Sequence, residues 1–144
     1  MKNISLTLIL FLCCNCSIKT NYKPKQSNIV YKFMLSDDIK NNLRQALQYY
    51  NIKHPEIVYA QAVLETGYFK SVNCKEKNNL FGLYNSNTKD FYKFKRWDKS
   101  VLGYKKLLQY KYKGGDYYNF LDSIGYAEDP KYIEKLKIIV NNNI

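Results

Sequence analysis

The 144-residue chain is poor in the residues on which many active sites depend: it has one histidine, one tryptophan and three prolines. The single histidine, His54, stands directly before Pro55 at a predicted helix entrance. No imidazole is therefore placed beside a nucleophile as a Ser-His-Asp or Cys-His mechanism needs. A pairing of His54 with Cys74 is the weak remaining thiol reading. No HExxH sequence and no glycine-rich phosphate loop occurs, which leaves zinc-peptidase and nucleotide readings unsupported. Acid is also scarce, with 12 Asp and Glu against 23 Lys and Arg, a net charge of +11, and no acid at all from Met1 to Leu35. The expected partner is anionic. Of the 4 cysteines, Cys13, Cys14 and Cys16 crowd the N-terminus, so Cys74 alone lies within the remaining chain and no internal disulfide framework is available. The apolar stretch Ile4 to Leu12, nine residues, is too short for the roughly 20 needed to span a bilayer.

What is present argues for one folded domain. Hydrophobic residues make up 46%, and 15 Tyr with 7 Phe are far more aromatic than a disordered chain. Lys2 followed by the apolar stretch reads as a signal peptide over residues 1–16. The cysteines that follow at once resemble the lipobox of bacterial lipoproteins, and Cys14 is the position expected to be acylated. The alternative, a metal or disulfide cluster, lacks a second ligand group. Residues 17–32 are polar, rich in Lys and Asn and contain Pro24, as suits a flexible tether from a membrane anchor. The folded domain is expected over residues 33–144.

Within it, helical periodicity dominates. Ser36 can cap a helix with Asp37 and Asp38 in its first turn and Ile39, Leu43, Ala46, Leu47 and Tyr50 on one face. Pro55 suits the first position of a second helix, apolar nearly all round, that stops at Gly67. Between Leu80 and Trp97 the pattern changes to FGLY, the turn-forming NSNTKD and the alternating FYKFKRW, which reads as a β-hairpin. Asp98 can cap a helix bearing Val101, Tyr104, Leu107 and Leu108, which Gly114 and Gly115 break. Asp116 can cap a short one carrying Tyr117, Phe120 and Leu121 that ends at Gly125. Asp129-Pro130 opens the last, with Ile133, Leu136 and Val140 inward. The expected fold is mainly α, a small helical domain with one short hairpin.

One carboxyl stands out. Glu65 falls in the final turn of the apolar helix, where desolvation and the negative end of the helix dipole both disfavour its charged form. An acid that keeps its proton near neutral pH is what a glycosidase needs to protonate a leaving oxygen. The bland alternative is a surface Glu that merely ends a helix.

The segments AQAVLETGYFKS, KNNLFGLY, RWDKSVLGYKKLL and IGYAEDPKYIEKL, in that order, resemble the glucosaminidase domain of glycoside hydrolase family 73 over nearly all of Pro55 to Ile139. The resemblance implies a lysozyme-like helical fold and hydrolysis of the β-1,4 bond after N-acetylglucosamine in peptidoglycan. The family's general acid maps onto Glu65, and the Tyr of its GYA block onto Tyr126. A second carboxylate would come from the hairpin, which here is short and offers chiefly Asp90. Without it, the substrate's own N-acetyl group could act as nucleophile. Phe81, Tyr84 and Trp97 are expected to flank the groove as sugar-stacking rings or, equally, to be core. Asn78 and Asn79 could bond sugar groups or shape a turn, and Gly82 allows close backbone approach or a bend. No cofactor and no metal are implied.

The basic excess suits anionic wall polymers. Nucleic acid competes for a chain of pI about 9.4, and Tyr104 to Tyr118 has the composition, but the export signal and the lack of a recognised motif stand against it. The expectation is an exported, membrane-anchored monomer acting on peptidoglycan strands. The alternatives are a lysozyme or lytic transglycosylase cutting after N-acetylmuramic acid, and a wall-binding lipoprotein without chemistry.

Overall fold

The structure, a computed structural model, describes the backbone of residues 38–142 and the side chains from Asn42. The signal peptide, Cys14, the tether, the Ser36 cap and the side chain of Ile39 lie outside the described residues. Among those described, the elements run α1 (Asp38–Tyr49), α2 (Pro55–Glu65), α3 (Val72–Lys77), β1 (Tyr84–Asn85), β2 (Asp90–Phe91), α4 (Trp97–Leu107), a 3-10 turn (Gln109–Lys111), α5 (Tyr117–Ser123) and α6 (Tyr132–Asn142). No helix among them is long and apolar enough to cross a membrane.

α2 is the axis of the fold. Pro55 occupies its first turn, and Ile57 through Val63 are all buried, with α1 and α6 packed along it and α4 against α1. A helix enclosed on every side needs no polar face, which is why its sequence is apolar almost throughout. α1 contributes Leu43, Ala46 and Leu47 to the core, α4 Trp97, Val101 and Tyr104, α5 Tyr117 and Leu121, and α6 Tyr132, Leu136 and Ile139. The inward stripe of α6 is therefore set a residue off the expected one, with Ile133 and Val140 at its margins. Leu107, expected inward, is 41% exposed at the end of α4.

Three local devices depart from expectation. α3 was not foreseen; Ser71 caps it by accepting from Cys74 N at 3.2 Å, and Asn78 ends it in the left-handed region at φ 52°. The hairpin exists but its ladder is two residues on each side, pairing Tyr84 with Phe91 and Asn85 with Asp90. The following stretch, residues 92–96, is irregular because Asn78 and Asn79 side chains take up its carbonyls, at 3.0 Å to Phe94 O and 3.0 Å to Tyr92 O. Asp98 does not cap α4. Arg96 holds the cap position without a side-chain capping bond, and Asp98 lies in the first turn, accepting two 2.7 Å bonds from Arg96 and one of 2.8 Å from Tyr50 Oη, just after α1. Asp116 does cap α5, accepting from Asn119 N at 2.8 Å.

Candidate active site

α2 ends at Glu65 because the next residues leave the helix in an unusual way. Gly67, Tyr68 and Phe69 all have positive φ, at 53°, 58° and 66°. For Tyr and Phe that conformation costs of order 1 kcal/mol or more each. Buried Thr66 holds it: its hydroxyl donates to Ala62 O at 2.6 Å and accepts from Phe69 N at 2.8 Å, and its carbonyl accepts from Lys70 and Ser71. The ETG sequence is thus one structural unit that stops the helix and leaves the Glu65 side chain at its end.

Glu65 is half-buried and lines a cleft of 380 Å³ together with Gly82, Tyr84, Tyr92, Lys111 and Tyr126. Burial raises its pKa above the ordinary carboxyl value, and a hydrogen bond from Tyr132 Oη to Oε1, 2.9 Å, pulls it part of the way back. The other oxygen, Oε2, faces Gly82: a Cβ added there would lie 3.1 Å from it, and Gly82 itself has φ +58°. Glycine is favoured on both counts. The Gly82 turn is fixed by Asn79, which is 1% exposed and spends its amide on it, accepting from Leu83 N at 3.0 Å and Phe81 N at 3.3 Å and donating to Leu83 O at 2.9 Å. Tyr126 Oη reaches across to donate to Phe81 O at 2.9 Å, joining the loop before α6 to the same turn.

A model of the glucosaminidase family, described as mannosyl-glycoprotein endo-beta-N-acetylglucosaminidase, matches residues 40–144. The chain belongs to this family. Its fold is similar to that of the catalytic domain of the autolysin Auto from Listeria monocytogenes, with a TM-score of 0.51 and 22% identity over 73% of this chain and 80% of that one. The likeness carries the lysozyme-like architecture, with its single small hairpin. Comparison with curated proteins gives no match.

The structure brings together only part of the set expected of a glucosaminidase. Glu65, Tyr126, Tyr84 and the Phe81 backbone share the cleft. Trp97 does not flank it: the indole is 1% exposed and is among the largest side chains fully inside the core. The Phe81 ring is likewise buried, packed on Tyr104 with centroids 4.6 Å apart, so neither ring offers a face to sugar. Asn79 has its hydrogen-bonding capacity used within the protein and shapes the turn. Tyr84, 54% exposed, is the aromatic face that remains open. Asp90 is not among the cleft residues; exposed on β2, it is paired with Lys77 at 2.5 Å, which holds its carboxyl below the usual range.

The thiol reading fails on geometry. Cys74 is buried and its thiol is pushed up to about 11 by desolvation. His54 is engaged elsewhere, 2.8 Å from Tyr112 Oη and stacked on Tyr117 with centroids 4.7 Å apart. No group of three or more metal-ligating side chains occurs among the described residues. Reading the sequence missed Tyr132, which touches Glu65, and Gln61, buried in the middle of α2. The latter was signalled: a lone Gln in an apolar helix must have a partner.

Proposed function

We propose that the chain hydrolyses peptidoglycan glycan strands at the β-1,4 bond after N-acetylglucosamine, with Glu65 as general acid. The observation that carries the reading is a half-buried carboxyl with a raised pKa in the cleft wall, one oxygen held by Tyr132 and the other facing Gly82. Such a group enters the reaction protonated and gives its proton to the leaving glycosidic oxygen. Family membership supports the glycosidase class, and the family's description supports the choice of bond.

Among the described residues the cleft holds one carboxylate, Glu65. The reading therefore favours the substrate's acetamido oxygen as nucleophile. It attacks C1 as the C1–O bond breaks and Glu65 protonates the departing oxygen. Water then opens the oxazolinium ring, returning a proton to Glu65. Tyr84 is the proposed sugar-stacking face and Tyr126 the residue bracing the turn. Export, acylation at Cys14 and action as a monomer belong to the same proposal.

Glu65→Gln is expected to fold as the parent and to lose about 10²- to 10⁴-fold in sugar release from purified wall, whereas Asp90→Asn keeps the parent rate. Activity falls as pH rises through the pKa of Glu65, because the proton to be donated is lost there. Mass spectrometry of the released muropeptides should find reducing-end N-acetylglucosamine. Reducing or anhydro muramic ends overturn the bond choice, and wall binding without sugar release overturns hydrolysis.

A further inference from the structure

Gln61 is 0% exposed, and its hydrogen-bond partners lead away from the cleft through the middle of the molecule. The chain of contacts runs from Gln109, the first residue of the 3-10 turn, to Glu65, and the two amides of Gln109 and Gln61 set its direction. Gln109 Oε1 accepts from Lys53 N at 2.9 Å and its Nε2 donates to Lys53 O at 2.9 Å, so the backbone assigns which amide atom is oxygen and which nitrogen. The second amide hydrogen goes to Tyr117 Oη, 2.9 Å away. A phenol has one proton. Tyr104 spends that proton on Gln61 Oε1 at 2.6 Å, so the 2.8 Å contact between Tyr104 Oη and Tyr117 Oη is donated by Tyr117. That orients Gln61 so that Nε2 faces Tyr132 Oη, 3.3 Å away, and Tyr132 spends its own proton on Glu65 Oε1 at 2.9 Å. Every donor points toward Glu65. Turning the Gln61 amide over would set its Nε2 against the Tyr104 proton and its Oε1 against the Tyr132 oxygen, in a core where an unpaired polar atom is costly.

We propose that Gln109, Tyr117, Tyr104 and Gln61 are positioning residues for the acid: they commit the Tyr132 proton to Oε1 and so assign the transferable proton to Oε2, the oxygen turned to Gly82 and the cleft. The proposal rests on Glu65 being the general acid. It goes further in naming residues remote from substrate that select which carboxyl oxygen works. The groups facing Glu65 are few. Tyr132 comes from α6, Tyr126 from the loop before it, Tyr84 and Tyr92 from the hairpin segment, and Lys111 from the 3-10 turn. Of these only Tyr132 makes a hydrogen bond to the carboxylate among the described contacts.

The test is Tyr104→Phe in the full chain, which deletes one hydroxyl in mid-chain and keeps the ring that packs on Phe81. Gln61 Oε1 then loses its donor, the bond at Tyr132 weakens, and Glu65 holds its proton more tightly. Titration of the Glu65 carboxyl by 13C NMR should move upward by roughly a few tenths of a pH unit. Tyr132→Phe, the last link, should move it by about one unit, a tenfold change in proton affinity. The alkaline limb of kcat/KM should follow, with kcat reduced and KM unchanged in Tyr104→Phe. A purely structural role predicts a lower melting temperature with the Glu65 titration in place. That result in a folded Tyr104→Phe protein overturns the proposal. Should Tyr104→Phe fail to fold, Gln109→Met at the far end carries the same expectation and the same overturning result. Full activity in Glu65→Gln would instead sink the general-acid reading, and the NMR titration, which needs no turnover, still decides the chain.

Discussion

At the scale of single residues, the sequence made Glu65 legible and hid the roles of its aromatic neighbours. Its place in the last turn of an apolar helix is a statement about solvent, and the structure bears out the consequence: burial raises its pKa. Phe81, Tyr84 and Trp97 carried no such mark, because a ring suits a sugar face and a core equally well, and only packing tells them apart. The difference is measurable. Trp97→Ala, removing a side chain 1% exposed, should lower stability by about 3 to 5 kcal/mol. Tyr84→Ala, at 54% exposed, should change it by less than about 0.5 kcal/mol while weakening substrate binding. Chemical denaturation read beside KM checks both, and an unstable Tyr84→Ala of unchanged KM contradicts the assignment.

At the scale of elements, starts and stops set by backbone chemistry were readable: Pro55 opening α2, the Thr66-Gly67 stop and Asp116 capping α5. The helix expected to run to Gly114 and Gly115 instead ends at Leu107 and passes into the 3-10 turn. What escaped were an element too short to show a period and one shaped by side chains outside it. α3 is six residues long, too short for a periodic signal, and the hairpin is cut to two pairs by Asn78 and Asn79. Asp98 shows the same limit. An acid at a helix start suggests a cap, but this one, its side chain 3% exposed, pairs with Arg96 and ties α4 to Tyr50 just after α1. Burial alone would raise its pKa; the hydrogen bonds from Arg96 and Tyr50 outweigh it and leave the carboxyl below its ordinary range. The depressed pKa gives stability that is present above the unfolded value of about 3.9 and lost as pH falls through the folded one. Asp98→Asn should therefore cost about 1 to 3 kcal/mol at pH 7, with the gap to the parent closing in acid. Urea melts at pH 7 and pH 3 measure it, and a gap that does not narrow between the two rules out the ion pair as its source.

At the scale of the whole molecule, composition foretold charge but not where it gathers. A net +11 could have been spread evenly as a solvated surface. Instead, the segment from Lys105 to Lys113 serves two clefts at once. Its Lys111 stands at the Glu65 cleft, and Lys105, Lys106 and Lys113 join Lys53 around a broad second cleft of 1140 Å³ whose lining includes no acid. Field lines from cations clustered beside a groove raise the local concentration of an anionic polymer and its rate of capture, an effect that salt screens and that no single contact explains. On insoluble anionic wall, the initial rate of sugar release should fall tenfold or more, by order of magnitude, as the screening length shrinks from about 30 Å at 0.01 M salt to about 8 Å at 0.15 M. On a short neutral N-acetylglucosamine oligomer the same salt series should leave kcat/KM nearly flat, since nothing charged is steered. Lys105→Gln with Lys106→Gln and Lys113→Gln should flatten the wall series toward the oligomer's without touching the pH profile set by Glu65. A triple variant that keeps the parent's salt dependence places the steering charge elsewhere on the molecule.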